Sequence, residues 1–190
     1  MLYFICMRSF DRRFRKTEQE IIEGSIKLLS KNGVLDVSIF DIAKEADVNR
    51  STFYLHFKGV DDVVAALEDE TIVQLAPFIK GPASFERDNL NAMFTAIKTN
   101  KLLFMSIVNS FSPRFEEKIS RSFLYSYGIS ASVGKEKADL KSIKMMSLLG
   151  SLLLTSKTWI SDNCRMKVET LSEEVLTLTA SSYYNDLISR

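Results

Sequence analysis

Ser38–Phe57, SIFDIAKEADVNRSTFYLHF, is the stretch that decides the fold. Ile39, Ile42, Ala43 and Ala46 recur at helical spacing, with Asp41, Lys44 and Glu45 between them. Ser38 is placed to cap this helix, and Asp41 falls three residues later in its first turn. Asp47-Val48 supplies a turn with Val48 tucked inside, and Asn49 is placed to cap a second helix. That helix carries Arg50, Ser51, Thr52, Tyr54 and His56 outward and Phe53 and Phe57 inward. Two short helices joined by so tight a turn make a helix-turn-helix, whose second helix can enter a DNA major groove.

Working outward, the run Asp41–Val63, DIAKEADVNRSTFYLHFKGVDDV, resembles the TetR family of bacterial transcriptional regulators. The apolar turn, the small polar pair, the aromatic-Tyr-x-His-Phe segment and the acidic helix start follow in that family's order. The resemblance covers about Thr17 to Leu67; beyond it, only the architecture is similar. It implies base or groove contacts at Arg50, Ser51 and Tyr54, and backbone contacts at Ser38, Thr52, His56 and Lys58. Two positions depart from the pattern. Phe40 stands where some members place a base-reading Arg, and Val60 where many have a phosphate-gripping Lys.

The residue chemistry agrees with this assignment. Arg50 alone in the second helix can grip guanine O6 and N7 with a planar fork. Ser51 and Thr52 are short donors for phosphate or partners for a thymine methyl, Tyr54 can touch either phosphate or base, and His56 and Lys58 suit phosphate. Outside the motif each has a plainer reading: Arg50 as a solvated charge, Tyr54 as a structural residue, His56 as an idle surface residue.

Formal net charge is only +1, so attraction to DNA has to come from local charge. Residues 1–16 carry Arg8, Arg12, Arg13, Arg15 and Lys16 against Asp11, whereas residues 17–58 hold five basic and seven acidic side chains. The expected organisation is therefore a basic arm over 1–16, a helix-turn-helix domain over 17–59 and a linking helix over 60–80. A helical ligand-binding and dimerisation domain over 81–190 completes it. The start codon is read as Met1, with Met7 as the alternative. Cys6 and Cys164 form no motif, which suits a reducing cytosol. The apolar run Met145–Leu154 is broken by Ser147, Gly150 and Ser151 and is too short for a membrane span. The expected location is the cytoplasm, with no membrane contact.

The rest of the chain reads as all-α, about nine helices in total. Thr17 with Glu20 predicts a capping box for a first helix carrying Ile22, Ile26 and Leu29, and Gly33 is expected to end it in a left-handed conformation. Val34, Leu35 and Val37 are expected to pin the connection that follows. Gly59 caps a fourth helix lined by Val60, Val63, Val64, Leu67 and Thr71 and ended by Pro77 and Gly81-Pro82. Stripes then follow at Leu90–Ile97, Leu103–Phe111 and Phe115–Phe123, the last after Ser112-Pro113 and before Gly128. The eighth helix, near 135–161, is apolar nearly all round from Ile143 to Leu154, so it predicts cover on two sides: its own core and a second subunit. A ninth helix near 170–188, with Leu176, Ala180, Tyr183 and Leu187 on one stripe, completes a four-helix homodimer interface. The segment from Gly150 to Ser172 faintly resembles regulators found beside dihydroxyacetone-kinase genes.

One histidine, two isolated cysteines, no glycine-rich phosphate loop and no ligand-spaced cluster argue against an enzyme and call for no cofactor or metal. The expectation is a DNA-binding transcriptional regulator: a homodimeric repressor on a palindromic double-stranded operator, answering to a small-molecule effector lodged among the aromatic residues of the C-terminal helices. The alternative is a module of the same fold that binds partners without reading DNA.

Overall fold

Arg12 opens the first helix of the computed structural model, which describes residues 12–129 and 140–180. Helix α1 spans Arg12–Leu29 and buries Ile21, Ile22, Ile26 and Leu29 along the expected stripe. It begins five residues before the expected cap, so Arg12, Arg13, Arg15 and Lys16 are helical rather than part of an arm; residues 1–11 lie outside the described residues. Nothing from Arg12 to Thr17 breaks a helix, and Phe14 has something to pack on, the ring of His56 at 4.0 Å between centroids. Glu20, freed from a capping role, faces Lys16 at 3.6 Å.

The end of α1 also differs from expectation. Gly33 has φ −71° and ψ 162°, an extended conformation open to any residue. The carbonyls of Leu29 and Ser30 are instead satisfied by the side-chain amide of Asn109, at 3.1 Å each. With those acceptors filled from a distant segment, no left-handed glycine is needed. A 3-10 turn at Val34–Asp36 follows; Val37 is buried but Leu35 is 97% exposed, so Leu35 pins nothing.

Helices α2 (Ile39–Glu45) and α3 (Arg50–His56) form as the sequence predicts. Ile42, Ala43 and Ala46 are buried, and Val48 is half-buried. Gly24 in the middle of α1 lets α2 come close: a Cβ there would stand 3.3 Å from the Ala46 nitrogen. Helix α4 (Val60–Leu75) buries Val63, Val64, Leu67, Glu68 and Thr71.

The described chain forms two compact units, one comprising residues up to 73 with 100–111, the other 74–99 with the residues from 112 on. Helix α6 (Lys101–Asn109) packs on α1 in the first unit, although both its sequence neighbours belong to the second. Leu103, Phe104 and Ile107 of α6 are buried as expected, while Phe111 is exposed.

In the second unit, 3-10 turns at Ala76–Phe78 and Gly81–Phe85 lead into α5 (Arg87–Thr99), which packs against α9 (Val168–Ala180). Gly81 has φ +61°, and a Cβ there would sit 2.6 Å from the Ser126 carbonyl oxygen, so only glycine fits on both counts. Helix α7 (Pro113–Ser126) is capped by Ser112, which accepts from Phe115 N–H at 3.1 Å, and packs on α8 (Leu140–Ser161). The expected start of α8 near residue 135 lies outside the described residues.

Phe94 meets Trp159 edge-on at 5.6 Å, and the indole N–H donates to the Met166 carbonyl at 3.0 Å. Leu171, Ser172, Val175 and Thr179 are buried on α9 and Leu176 is half-buried; of the expected stripe, the side chain of Ala180 and all of Tyr183 and Leu187 lie outside the described residues. Helix α8 buries Met145, Leu148, Leu149, Leu152, Trp159 and Ile160 and turns Ile143, Ser147, Gly150, Ser151 and Leu154 outward. The described residues contain no strand, and none of their helices is long and apolar enough to cross a membrane.

Candidate nucleic-acid interface

The helix-turn-helix is held by three local devices. At the start of α2 the Ser38 hydroxyl accepts from Asp41 N–H while Asp41 Oδ2 accepts from the Ser38 N–H at 3.0 Å. The Ser38 hydroxyl also donates to that carboxylate. Those Ser38 hydrogen bonds, side-chain first and backbone second, hold the Asp41 carboxyl below its ordinary value of 3.8.

Helix α2 ends in a Schellman turn: Val48 N–H donates to the Ala43 carbonyl at 2.9 Å, and Asp47, at φ +53°, takes the left-handed place. Asn49 then opens α3, its Oδ1 accepting from Thr52 N–H at 2.7 Å and from the Ser51 hydroxyl at 2.6 Å. These contacts set the start of α3 locally.

Phe53 and Phe57 face inward, with ring centroids 6.0 Å apart. Arg50, Tyr54, Lys58, Ser51 and Leu55 form a contiguous exposed arc, and Thr52 flanks it half-buried. Arg50 leans on Tyr54: Nη2 donates to the phenol oxygen at 3.3 Å, and the guanidinium carbon stands 5.7 Å from the ring centroid. This holds the guanidinium along the helix surface before any ligand arrives. Ser38 is exposed at the head of α2, and Phe40, two residues on, is 68% exposed.

His56 departs from the expected orientation. Its side chain is only 3% exposed, stacked on Phe14 with Nδ1 3.5 Å from Glu18 Oε2. Two partners on α1 draw the ring inward, so it ties α3 to α1 instead of reaching for phosphate. An isolated Leu such as Leu55 reads as core in the sequence, but its place one turn after Ser51 puts it on the polar side of α3. Among the described residues no group of three or more metal-ligating side chains comes together.

Comparison with known proteins gives this geometry a setting. The sequence model for the tetR family of bacterial regulatory proteins matches residues 21–67. The chain is 23% identical to the fatty acid metabolism regulator protein of Bacillus subtilis (strain 168), over 90% of this chain and 97% of that one. Among solved structures it is similar to the regulator FadR from Bacillus subtilis in complex with stearoyl-CoA. There the TM-score is 0.60 at 21% identity, covering 86% of this chain and 97% of that one. It is also similar to the dihydroxyacetone kinase operon activator DhaS, with TM-score 0.53 at 15% identity, covering 88% and 96%. At such identities the structures speak to the fold alone. With its reading helix capped and turned outward, the segment 21–67 belongs to the tetR family of bacterial regulatory proteins, and the chain that carries it is a DNA-binding transcriptional regulator.

Proposed function

We propose that two copies of this chain bind a palindromic operator in the cytoplasm as a repressor, each laying α3 in a major groove, and that an acyl-CoA taken up by the C-terminal unit releases them. The observation that carries the reading is the outward arc of α3, where Arg50, Ser51, Tyr54 and Lys58 stand clear of the core on a helix whose opposite side is sealed by Phe53 and Phe57. Arg50, Ser51 and Tyr54 read base edges. Ser38, Thr52 and Lys58 hold phosphates, and Arg12, Arg13, Arg15 and Lys16 at the head of α1 add positive charge.

The second copy is proposed to meet α8 and α9. Ile143, Gly150 and Leu154 on α8 and Leu178 on α9 are exposed, and no atom lies within 4 Å of a Cβ built on Gly150. Small residues there admit a partner helix closely.

The effector class rests on likeness to the Bacillus subtilis fatty acid metabolism regulator along nearly its whole length, and to the FadR structure that holds stearoyl-CoA. Release follows by linkage. Helix α4 continues from the first unit into the second, and α6 is joined at both ends to segments of the second. An effector that favours a separation of the two reading helices other than about 34 Å, or a multiple of it, lowers operator affinity.

The test uses full-length protein to select duplexes from a random library and follows binding of the winner by fluorescence anisotropy against salt and stearoyl-CoA. The reading expects a palindrome, affinity that falls steeply with salt, and release by stearoyl-CoA. No enriched duplex overturns the DNA-binding reading; a palindrome indifferent to acyl-CoAs overturns the effector alone.

A further inference from the structure

Leu55 is 74% exposed on α3, on a strip it shares with the exposed polar side chains of Ser51 and Lys58. It lies one helical turn beyond Ser51, on the same strip of α3. The neighbouring positions show that the site is not a loose end of the core: Phe53 and Phe57 are buried, and Tyr54 on the other flank is tied to Arg50. Local folding gives no reason for an isobutyl group here, since the capping of α3 by Asn49 and its sealing by the two phenylalanines are complete without it.

The surface Leu55 shares is the one proposed to face DNA, which limits what can cover it. Phosphate oxygens are charged and reject an aliphatic group. Base edges in the major groove are donors and acceptors, with one exception, the C5-methyl of thymine. We infer that Leu55 is a specificity-determining residue that packs on a thymine C5-methyl in each half-site, next to the base gripped by Arg50. The inference rests on the DNA-binding reading above and adds to it a recognition that hydrogen bonding cannot supply. It also sets the chemical class: a methyl at C5 of a pyrimidine is what Leu55 senses, so 5-methylcytosine offers the same group.

The experiment replaces each thymine of the selected palindrome in turn with deoxyuridine, which deletes the methyl and leaves the Watson–Crick pairing intact. One symmetry-related pair of thymines is expected to lose roughly fourfold in affinity per half-site, the factor that burial of one methyl group supplies. Leu55→Ala protein, altered only at an exposed position, is expected to bind the thymine palindrome with that same loss and to be indifferent to deoxyuridine at the same pair. Leu55→Met, which keeps an apolar tip, retains the discrimination. Uniform affinity across the deoxyuridine series, or a deoxyuridine penalty that survives Leu55→Ala, overturns the inference while the palindrome stands. Failure to select any palindrome overturns it together with the reading it rests on.

Discussion

The side-chain amide of Asn109 donates to the carbonyl of Leu29 at 3.1 Å, across eighty residues of chain. With its twin bond to Ser30, it closes the C-terminus of α1, and it fastens α6 to the helix that carries Phe14 and Glu18 beneath the reading helix. Asn109→Ala removes the donor to two carbonyls at the surface and is expected to cost about 0.5–1.5 kcal/mol in urea unfolding. Asn109→Asp, which aims a carboxylate at the same oxygens, is expected to cost more. If α6 carries the effector signal, Asn109→Ala also blunts release by stearoyl-CoA while operator binding persists.

Arg50 and Lys58 are expected to fail in different ways. Arg50→Ala removes a bidentate base contact and is expected to cost roughly 1–3 kcal/mol, concentrated at one base position. Lys58→Ala weakens all duplexes alike and lowers the salt slope by about one unit per subunit. Phe40→Arg is expected to tighten binding and steepen the salt dependence. Anisotropy titrations at three or more salt concentrations separate the three outcomes.

Asp47 occupies a left-handed position at φ +53°, where a side chain strains the backbone. Asp47→Gly is expected to stabilise the chain by about 0.5–1 kcal/mol in thermal unfolding, since glycine adopts that region freely. At Gly81 the sign reverses. There, Gly81→Ala meets both the left-handed penalty of about 1–2 kcal/mol and a backbone oxygen 2.6 Å from the new Cβ.

What could be read in the sequence follows how far apart the interacting groups lie. Ser38 with Asp41 and Asn49 with Thr52 are three residues apart, so the caps of α2 and α3, and with them the reading helix, follow from the letters. The end of α1 depends on Asn109 and its beginning on His56, and neither partner is visible locally. The same distance hides the inward turn of His56, whose partners Phe14 and Glu18 sit on another helix. Leu35 shows that apolar character alone does not imply burial: it stands 97% exposed on a 3-10 turn.

The capping box makes a pH prediction. Asp41 is held below 3.8 by the Ser38 hydrogen bonds, so the folded state favours its ionised form more than the unfolded state does. A depressed carboxyl contributes stability that is present in full above the unfolded value and is lost as pH falls through the folded one. Ser38→Ala is therefore expected to lower stability at pH 7, with the difference from the parent narrowing only below about pH 4. Urea midpoints measured between pH 7 and pH 2.5 check this; a gap that stays constant would trace the loss to the hydroxyl alone.

The outward face of α8 decides the proposed symmetry. Because a Cβ at Gly150 meets open space, Gly150→Phe is expected to leave a single copy folded and to displace a partner helix. Leu154, 66% exposed, likewise tolerates Leu154→Glu within one subunit. Both variants are expected to run as monomers in sedimentation while keeping their helical circular dichroism. Their operator affinity is expected to fall by far more than Lys58→Ala costs, because a monomer grips one half-site without the other to hold it in place. A dimer that survives both substitutions would move the interface off α8, and with it the spacing that the two reading helices present to DNA.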